Sequence, residues 1–210
     1  MKHLKRGFCN CSQLTIEPKT GWFERLLLKF IPHFDIVKTI ETLCPYCVFE
    51  CDYCEGGNVK ETVLYLRRFF IFRSKWIGKN FGDLYLHKIY RSDDDKDPHD
   101  HPWSFRTFVL KGGYTDEGWQ FTDLDGKGNG YRTRMPHFDE KVSAPATRFR
   151  HRRHIHRVIL TENKPAWTLV WTTGYTNDAR GNADWRFITE ERAVPWREYL
   201  GLDSGEEHGG

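Results

Sequence analysis

Between residues 61 and 195, apolar and polar residues alternate in one short run after another: Val63–Phe72, Leu84–Tyr90, Trp103–Leu110, Trp119–Thr122, Tyr131–Arg134 and Trp167–Thr172. A period of two sends alternate side chains to opposite faces of an extended chain, so each run reads as a β-strand. Gly112-Gly113, Asp125-Gly126 with Gly128 and Gly130, and Gly174 stand between them as turns. Strand after strand with turns between implies a sandwich or a closed barrel. The aromatic content of 15%, spread over many short runs, suits β-structure better than a helical bundle.

Around that region the chain divides at about residue 60. Residues 1–60 hold all six cysteines and read as a small appended module. Within it Trp22, Phe23, Leu26, Leu27, Phe30 and Ile31 form one apolar stripe on a helix that Pro32 ends, expected to pack on the main body. Residues 55–58 are the expected linker, 61–202 the β-barrel, Val194–Leu200 a short closing helix, and 203–210 a disordered tail. With 32 basic and 29 acidic residues the net charge is only +3, which excludes a histone-like, charge-driven protein. No segment reaches the roughly 18 apolar residues a membrane helix needs. The opening MKHLKRGFCNCS lacks the apolar stretch of a signal peptide. The chain therefore reads as cytoplasmic, with no membrane partner and with reduced thiols. The sequence leaves its oligomeric state open, a dimer included.

Reduced cysteines in this spacing suggest metal. Cys9 and Cys11 form one pair, while CPYCVFECDYC supplies Cys44, Cys47, Cys51 and Cys54. Each C-x-x-C wraps a turn around one ion, and two such pairs three residues apart suit a zinc knuckle. Alternatively Cys9 and Cys11 join one of those pairs. Cys47, Cys51 and Cys54, with Tyr53 between, also resemble the iron–sulfur motif of radical SAM enzymes. That fold needs an α/β barrel, for which the downstream β pattern gives no material, but it keeps Fe–S as the alternative to zinc.

The ten histidines carry most of the chemical information. His99 and His101 stand as HDHPW before one strand, and His154 and His156 lead into the Val158–Leu160 strand. Two residues apart in extended chain, each pair aims its imidazoles to one side, and two such pairs on antiparallel strands can converge on one ion. Imidazole suits Fe, Ni, Cu and Zn.

HDHPWSFRTFVLKGGY resembles the first motif of the cupins and RHIHRVIL the second. The longer run LYLHKIYRSDDDKDPHDHPW, with PAWTLVWTTGY and VPWREYL, is similar to small cupin-like proteins of bacteria and phages. The resemblance covers roughly residues 62–200 and implies a double-stranded β-helix, a jelly-roll barrel with a metal in its mouth. Cupins usually place a Glu ligand after H-x-H with three or four residues between, but here Phe105 and Arg106 occupy those positions. That leaves His99, His101 and His156, a three-His set similar to that of the thiol dioxygenases. His154 is then expected outside the first ligand sphere, in the second motif's register. Three protein ligands leave coordination positions open, as catalytic sites do.

Residues 148–157, RFRHRRHIHR, contain five Arg and three His. If the strand is unbroken, alternation places Arg150 and Arg152 beside His154 and His156, where guanidinium groups would hold a small carboxylate or phosphate. Nucleic acid is the weaker alternative for this run. Trp103, Phe105 and Tyr114 are expected to wall the pocket. SDDDKD at 92–97 reads as a solvated loop, since it lacks the Gly and Glu of a calcium loop. Three functional readings follow. The first is a mononuclear non-haem oxygenase holding Fe(II), or another divalent transition metal, and acting on a small anionic substrate. The second is a metal-dependent sugar isomerase or epimerase, for which Tyr114 and His154 are the candidate acid–base groups. The third is a non-catalytic ligand-binding or interaction module.

Overall fold

The computed structural model describes residues 15–16, 20–43, 58–73, 82–93, 97–173 and 185–199. In chain order these form β1 (Thr15–Ile16), α1 (Trp22–Phe30), β2 (His33–Leu43), β3 (Asn58–Phe72), β4 (Leu84–Ile89), β5 (Phe105–Lys111) and β6 (Gly113–Asp123). There follow β7 (Gly130–Arg134), β8 (Glu140–Ser143), β9 (Ala146–Arg150), β10 (Ile155–Leu160), β11 (Ala166–Thr172), β12 (Arg186–Ile188), β13 (Ala193–Pro195) and α2 (Trp196–Tyr199). All six cysteines, most of the expected linker and the tail lie outside the described residues.

The strand order identifies the architecture. The large sheet runs β1-β3-β4-β11-β5-β9, with β2 also on β3, and the small sheet runs β10-β6-β7, with β8 also on β6. His99 bridges to His156, which adds a short segment beside β10. Let β4, the His99 segment, β5, β6, β7 with β8, β9, β10 and β11 be strands one to eight. The sheets then read 1-8-3-6 and 2-7-4-5. That interleaving of two antiparallel sheets is a jelly roll, the double-stranded β-helix expected from the cupin resemblance. β7 and β8 share the fifth place by pairing with Trp119–Asp123 and Gly113–Asp116 of β6 in turn. Gly112 makes the β5–β6 turn at φ +77, and a Cβ there would stand 2.8 Å from the Pro165 carbonyl oxygen.

Leu66, Ile89, Val109, Tyr114, Val142, Leu160 and Ala166 close the barrel interior at one end, with contributions from both sheets. Their strand partners define the inward face, which on β5 carries Phe105, Thr107 and Val109, and on β9 carries Arg150, Arg148 and Ala146. The closed apolar end drives folding, while the opposite end collects the polar groups described below.

Two expectations change at the N-terminal side. β2 pairs antiparallel with β3 over its whole length, and β1 pairs parallel with Thr62 and Val63. The described part of residues 1–60 is therefore continuous with the large sheet. The apolar stripe of α1 is not what packs: Trp22 is 73% and Phe30 68% exposed, and Phe23 and Leu26 are about half exposed. The buried residue is Glu24, at 1% exposure. The reason is the outer face of the sheet, where Arg67 and Lys88 point at the helix. Glu24 accepts from Arg67 Nη1 at 2.8 Å, from Lys88 Nζ at 2.6 Å and from the Tyr90 hydroxyl. Two buried cations need a carboxylate more than the sheet needs another apolar contact. Phe23, though half exposed, brings its ring 5.8 Å from that of Trp167 on β11.

The described acidic residues of the 92–97 segment are not solvated either. Asp93 is 3% exposed and accepts from the Val158 N–H at 2.9 Å; Asp97 is also buried, paired with Arg132 and with the Tyr199 hydroxyl. These carboxylates pin the segment before the first histidine pair to β7, β10 and α2.

Candidate metal centre

His99 and His101 lie on the segment between β4 and β5, and His156 is the second residue of β10. Reciprocal backbone hydrogen bonds of 3.0 Å join His99 to His156. They lay the first histidine pair alongside β10. The three rings form a near-equilateral triangle with centroid separations of 5.0, 5.1 and 5.2 Å. One nitrogen from each lies within 4.8 Å of the other two. His101 Nε2 and His156 Nε2 approach to 2.9 Å.

The opposite nitrogen of His156 is also fixed. Nδ1 donates to Asp116 Oδ1 at 2.7 Å, and Asp116 is 3% exposed. With its proton on Nδ1, His156 turns the Nε2 lone pair toward His101 and His99. Burial pushes the His156 pKa down, but the Asp116 charge and hydrogen bond outweigh it and the net direction is up. Burial would raise the Asp116 carboxyl, yet His156 and His154 hold it far below the usual carboxylate range. His101 goes the other way, lowered well below the ordinary value by burial and by His99 and His156. A ring kept neutral retains the lone pair that a metal needs.

His154 takes a different place. Its Nε2 is 3.4 Å from Asp116 Oδ1, the same oxygen that His156 Nδ1 contacts. Asp116, His154 and His156 form a second set of candidate ligands. In that set Asp116 already accepts from His156 on Oδ1 and, at 2.6 Å, from Arg150 Nε on Oδ2.

Asp100, between the two histidines of the first motif, is 0% exposed and points away from them. It accepts from the Arg186 backbone N–H at 2.7 Å, from Arg186 Nη2 at 2.8 Å and from Arg153 Nη1 at 3.0 Å. This carboxylate ties the H-x-H segment to β12 and to the turn before β10. Sequence reasoning read past Asp100, and past Asp116 too. Asp116 stands two residues after Tyr114, so strand parity from that named position would have found it.

Beside the triangle, a cleft of about 530 Å³ is lined by Gly118, Trp119, Gln120, Met135, Phe138, Glu140, Arg150, Arg153, His154 and Ile155. Gly118 is obligatory here, since a Cβ would stand 2.7 Å from that of Phe138. Phe105 is inward and 8% exposed, its ring 4.9 Å from His101, and Trp103 lies 5.9 Å from the same ring. Arg106 is exposed.

Three sequence expectations need correction. β9 ends at Arg150 and β10 begins at Ile155, with a turn between. The alternation that placed Arg152 beside Arg150 is therefore broken. Arg150 does face the cleft, but its guanidinium is matched by Asp116 and by Glu140 Oε2 at 2.7 Å. Tyr114 belongs to the apolar core, and burial and the nearby Asp116 push its hydroxyl up to about 12. That is far from the value a base at neutral pH needs.

Compared by sequence, the chain matches no protein-family profile and no curated protein. Solved structures with a similar course include hydroxypropylphosphonic acid epoxidase from S. wedmorenis, with TM-score 0.37 and 13% identity over 51% of each chain. Oxalate oxidase follows with TM-score 0.38 and 17% identity, over 59% of this chain and 55% of that one. Pac13, a nucleoside dehydratase, has TM-score 0.36 and 8% identity over 61% and 80%. The matched part thus spans about half the length of the epoxidase. The jelly-roll assignment rests on strand order: this chain is a mainly β protein whose barrel mouth gathers His99, His101 and His156.

Proposed function

We propose that the protein is a mononuclear metal enzyme, its ion held by His99, His101 and His156, that acts on a small anionic substrate. The observation that carries this reading is the 2.9 Å separation of His101 Nε2 and His156 Nε2, with the far side of His156 fixed by Asp116. Three imidazole nitrogens within 4.8 Å of one another can converge on one ion and leave coordination positions open, as catalytic sites do and closed structural zinc sites do not. Iron(II) there would supply neighbouring positions for O2 and substrate and the one-electron chemistry that O2 requires.

The chain's own residues have separable roles. Asp116 sets the tautomer of His156, Arg150 and His154 surround that carboxylate, and Phe105 fills the space where cupins commonly carry a fourth ligand. The cleft beside His154 is the substrate's entry. The isomerase reading is weaker, because Tyr114 is unsuited to the role of base. For the Cys-rich segment we propose zinc, held by the C-x-x-C pairs.

The test is reconstitution of the metal-stripped protein with Fe(II), Mn(II) or Zn(II), measuring O2 uptake with carboxylate- and phosphate-bearing candidates. O2 uptake confined to the iron form is expected. Turnover with Mn or Zn and no O2 would shift the reading to isomerisation. Failure of all three ions to bind would remove it.

A further inference from the structure

Helix α1 is mounted with its apolar side out. Glu24 faces the barrel, and the three donors on its carboxylate, from Arg67, Lys88 and Tyr90, fix the rotation of the helix about its axis. Leu26 stands about 200° around the helix from Glu24 and so points away from the sheet. Trp22 and Phe30, one turn before and one turn after Leu26, complete that ridge, and all three are exposed. Phe23 flanks the ridge on one side, half exposed. Arg25 and Lys29 flank it on the other, both exposed.

Large apolar side chains gathered on one outward ridge call for a partner, as scattered ones do not. The charges beside this ridge have one sign. Between residues 20 and 34 the only acid is Glu24, which is buried. Asp35, next in the chain, is bound by Arg67 through Nε and Nη2, each at 2.7 Å. The Lys29 ammonium lies 5.4 Å from the ring centroid of Phe30, at the border of the ridge. Aromatic rings and leucine edged by Lys and Arg suit a lipid headgroup layer, where the rings enter the acyl boundary and the cations stay with the phosphates. A second copy of the chain fits less well. A two-fold contact through this ridge would bring two sets of Arg25 and Lys29 together, with no exposed carboxylate from residues 20–34 to match them.

The shortness of α1 is no obstacle. An isolated helix of nine residues is marginal in water, and a free peptide would lose affinity to forming it. Here the Glu24 clamp holds the helix formed beforehand. No helix among the described residues is long and apolar enough to cross a membrane, and contact through this face needs only the surface.

We propose that the outward face of α1 is a membrane-docking surface: Trp22, Leu26 and Phe30, with Phe23 beside them, enter the interface of a bilayer rich in anionic phospholipid, and Arg25 and Lys29 hold its headgroups. Docking is peripheral and reversible. It replaces the expectation of no membrane partner, which the lack of a spanning segment suggested, and it is independent of the metal reading.

Co-sedimentation of the full chain tests it, with vesicles of phosphatidylcholine plus phosphatidylserine against phosphatidylcholine alone. Wild type is expected to partition onto the mixed vesicles and at least about tenfold less onto the neutral ones, the difference shrinking as salt rises. Leu26→Ser with Phe30→Ser should weaken binding at least about tenfold. Arg25→Gln with Lys29→Gln should weaken it about tenfold or more on the mixed vesicles only. These positions are exposed, so the melting temperature should not move. Trp22→Phe should keep binding, while quenching of tryptophan emission by lipids brominated in their acyl chains should fall from its wild-type level. If wild type stays in solution with both kinds of vesicle, or if either pair of substitutions leaves binding unchanged, the proposal is wrong. If wild type ignores vesicles and sediments as a dimer that Leu26→Ser with Phe30→Ser returns to monomer, the ridge serves a second copy and the membrane assignment is wrong. Should the apolar pair fail to fold, the cation pair decides alone.

Discussion

His156 Nδ1 donates to Asp116 Oδ1 across 2.7 Å, between two side chains that are each almost wholly buried. A carboxylate in this position orients the ring and raises its basicity as a ligand. Replacing Asp116 with Asn keeps the shape but removes the charge, and metal affinity should fall roughly 10–100-fold. Competition against a chelator of known affinity measures it. An unchanged affinity would mean that His156 does not face the ion through Nε2.

The histidines should separate by mutation. His156→Ala and His101→Ala should each abolish occupancy, read by elemental analysis, while His154→Ala should lower affinity only about 10–100-fold through Asp116. Complete loss in all three would make His154 a ligand and close the coordination sphere.

The α1 clamp gives a pH signature. Burial would raise the Glu24 pKa, but hydrogen bonds from Lys88 and Tyr90 and the charges of Lys88 and Arg67 lower it overall. A depressed carboxyl stabilises the fold above its unfolded value of about 4.3, and that contribution is lost as pH falls through the lower folded value. Glu24→Gln should cost about 3–5 kcal/mol at pH 7, as expected for a broken buried pair. Melting curves of wild type and variant should draw together as the pH falls from about 4.3 down through the lower folded value of Glu24. A constant difference across the whole range would show that the charge of Glu24 is not what holds the helix.

For the cysteines, Cys44→Ser should remove one metal equivalent and destabilise the fold, since a structural site contributes folding energy. His101→Ala should remove the other equivalent with little effect on the melting temperature. If both variants lose the same metal, there is one site and not two.

Much of the barrel was legible in period-two runs, and the triangle in two H-x-H pairs. What escaped has identifiable causes. In β2 a register shift between Ile36 and Val37 breaks the alternation that would have announced a strand. The turn after Arg150 breaks parity in the same way, which is why Arg152 was placed with Arg150. Along α1 the helical period was right but the direction was not, because the outward cations of Arg67 and Lys88 are visible only once β3 and β4 lie side by side. Arg68 and His87 were hidden by company: each stands next to another polar residue, Arg67 or Lys88, and alternation alone does not say which of the two points inward. Their inward direction depends on register across three strands, which no single strand encodes.

The grip of Asp100 on Arg186 has a consequence for the order in which the protein comes into being. The pocket-forming segment at His99 is bracketed by β10 on one side and, through the bridge to Phe187, by β12 on the other. The donors that hold its Asp100 carboxylate come from Arg186, 86 positions later in the chain. On the ribosome the barrel strands emerge first, and the imidazoles can be locked into their triangle only after residue 186 has cleared the exit tunnel. The triangle of His99, His101 and His156 therefore closes late relative to the strands that flank it, once Arg186 is available to hold Asp100.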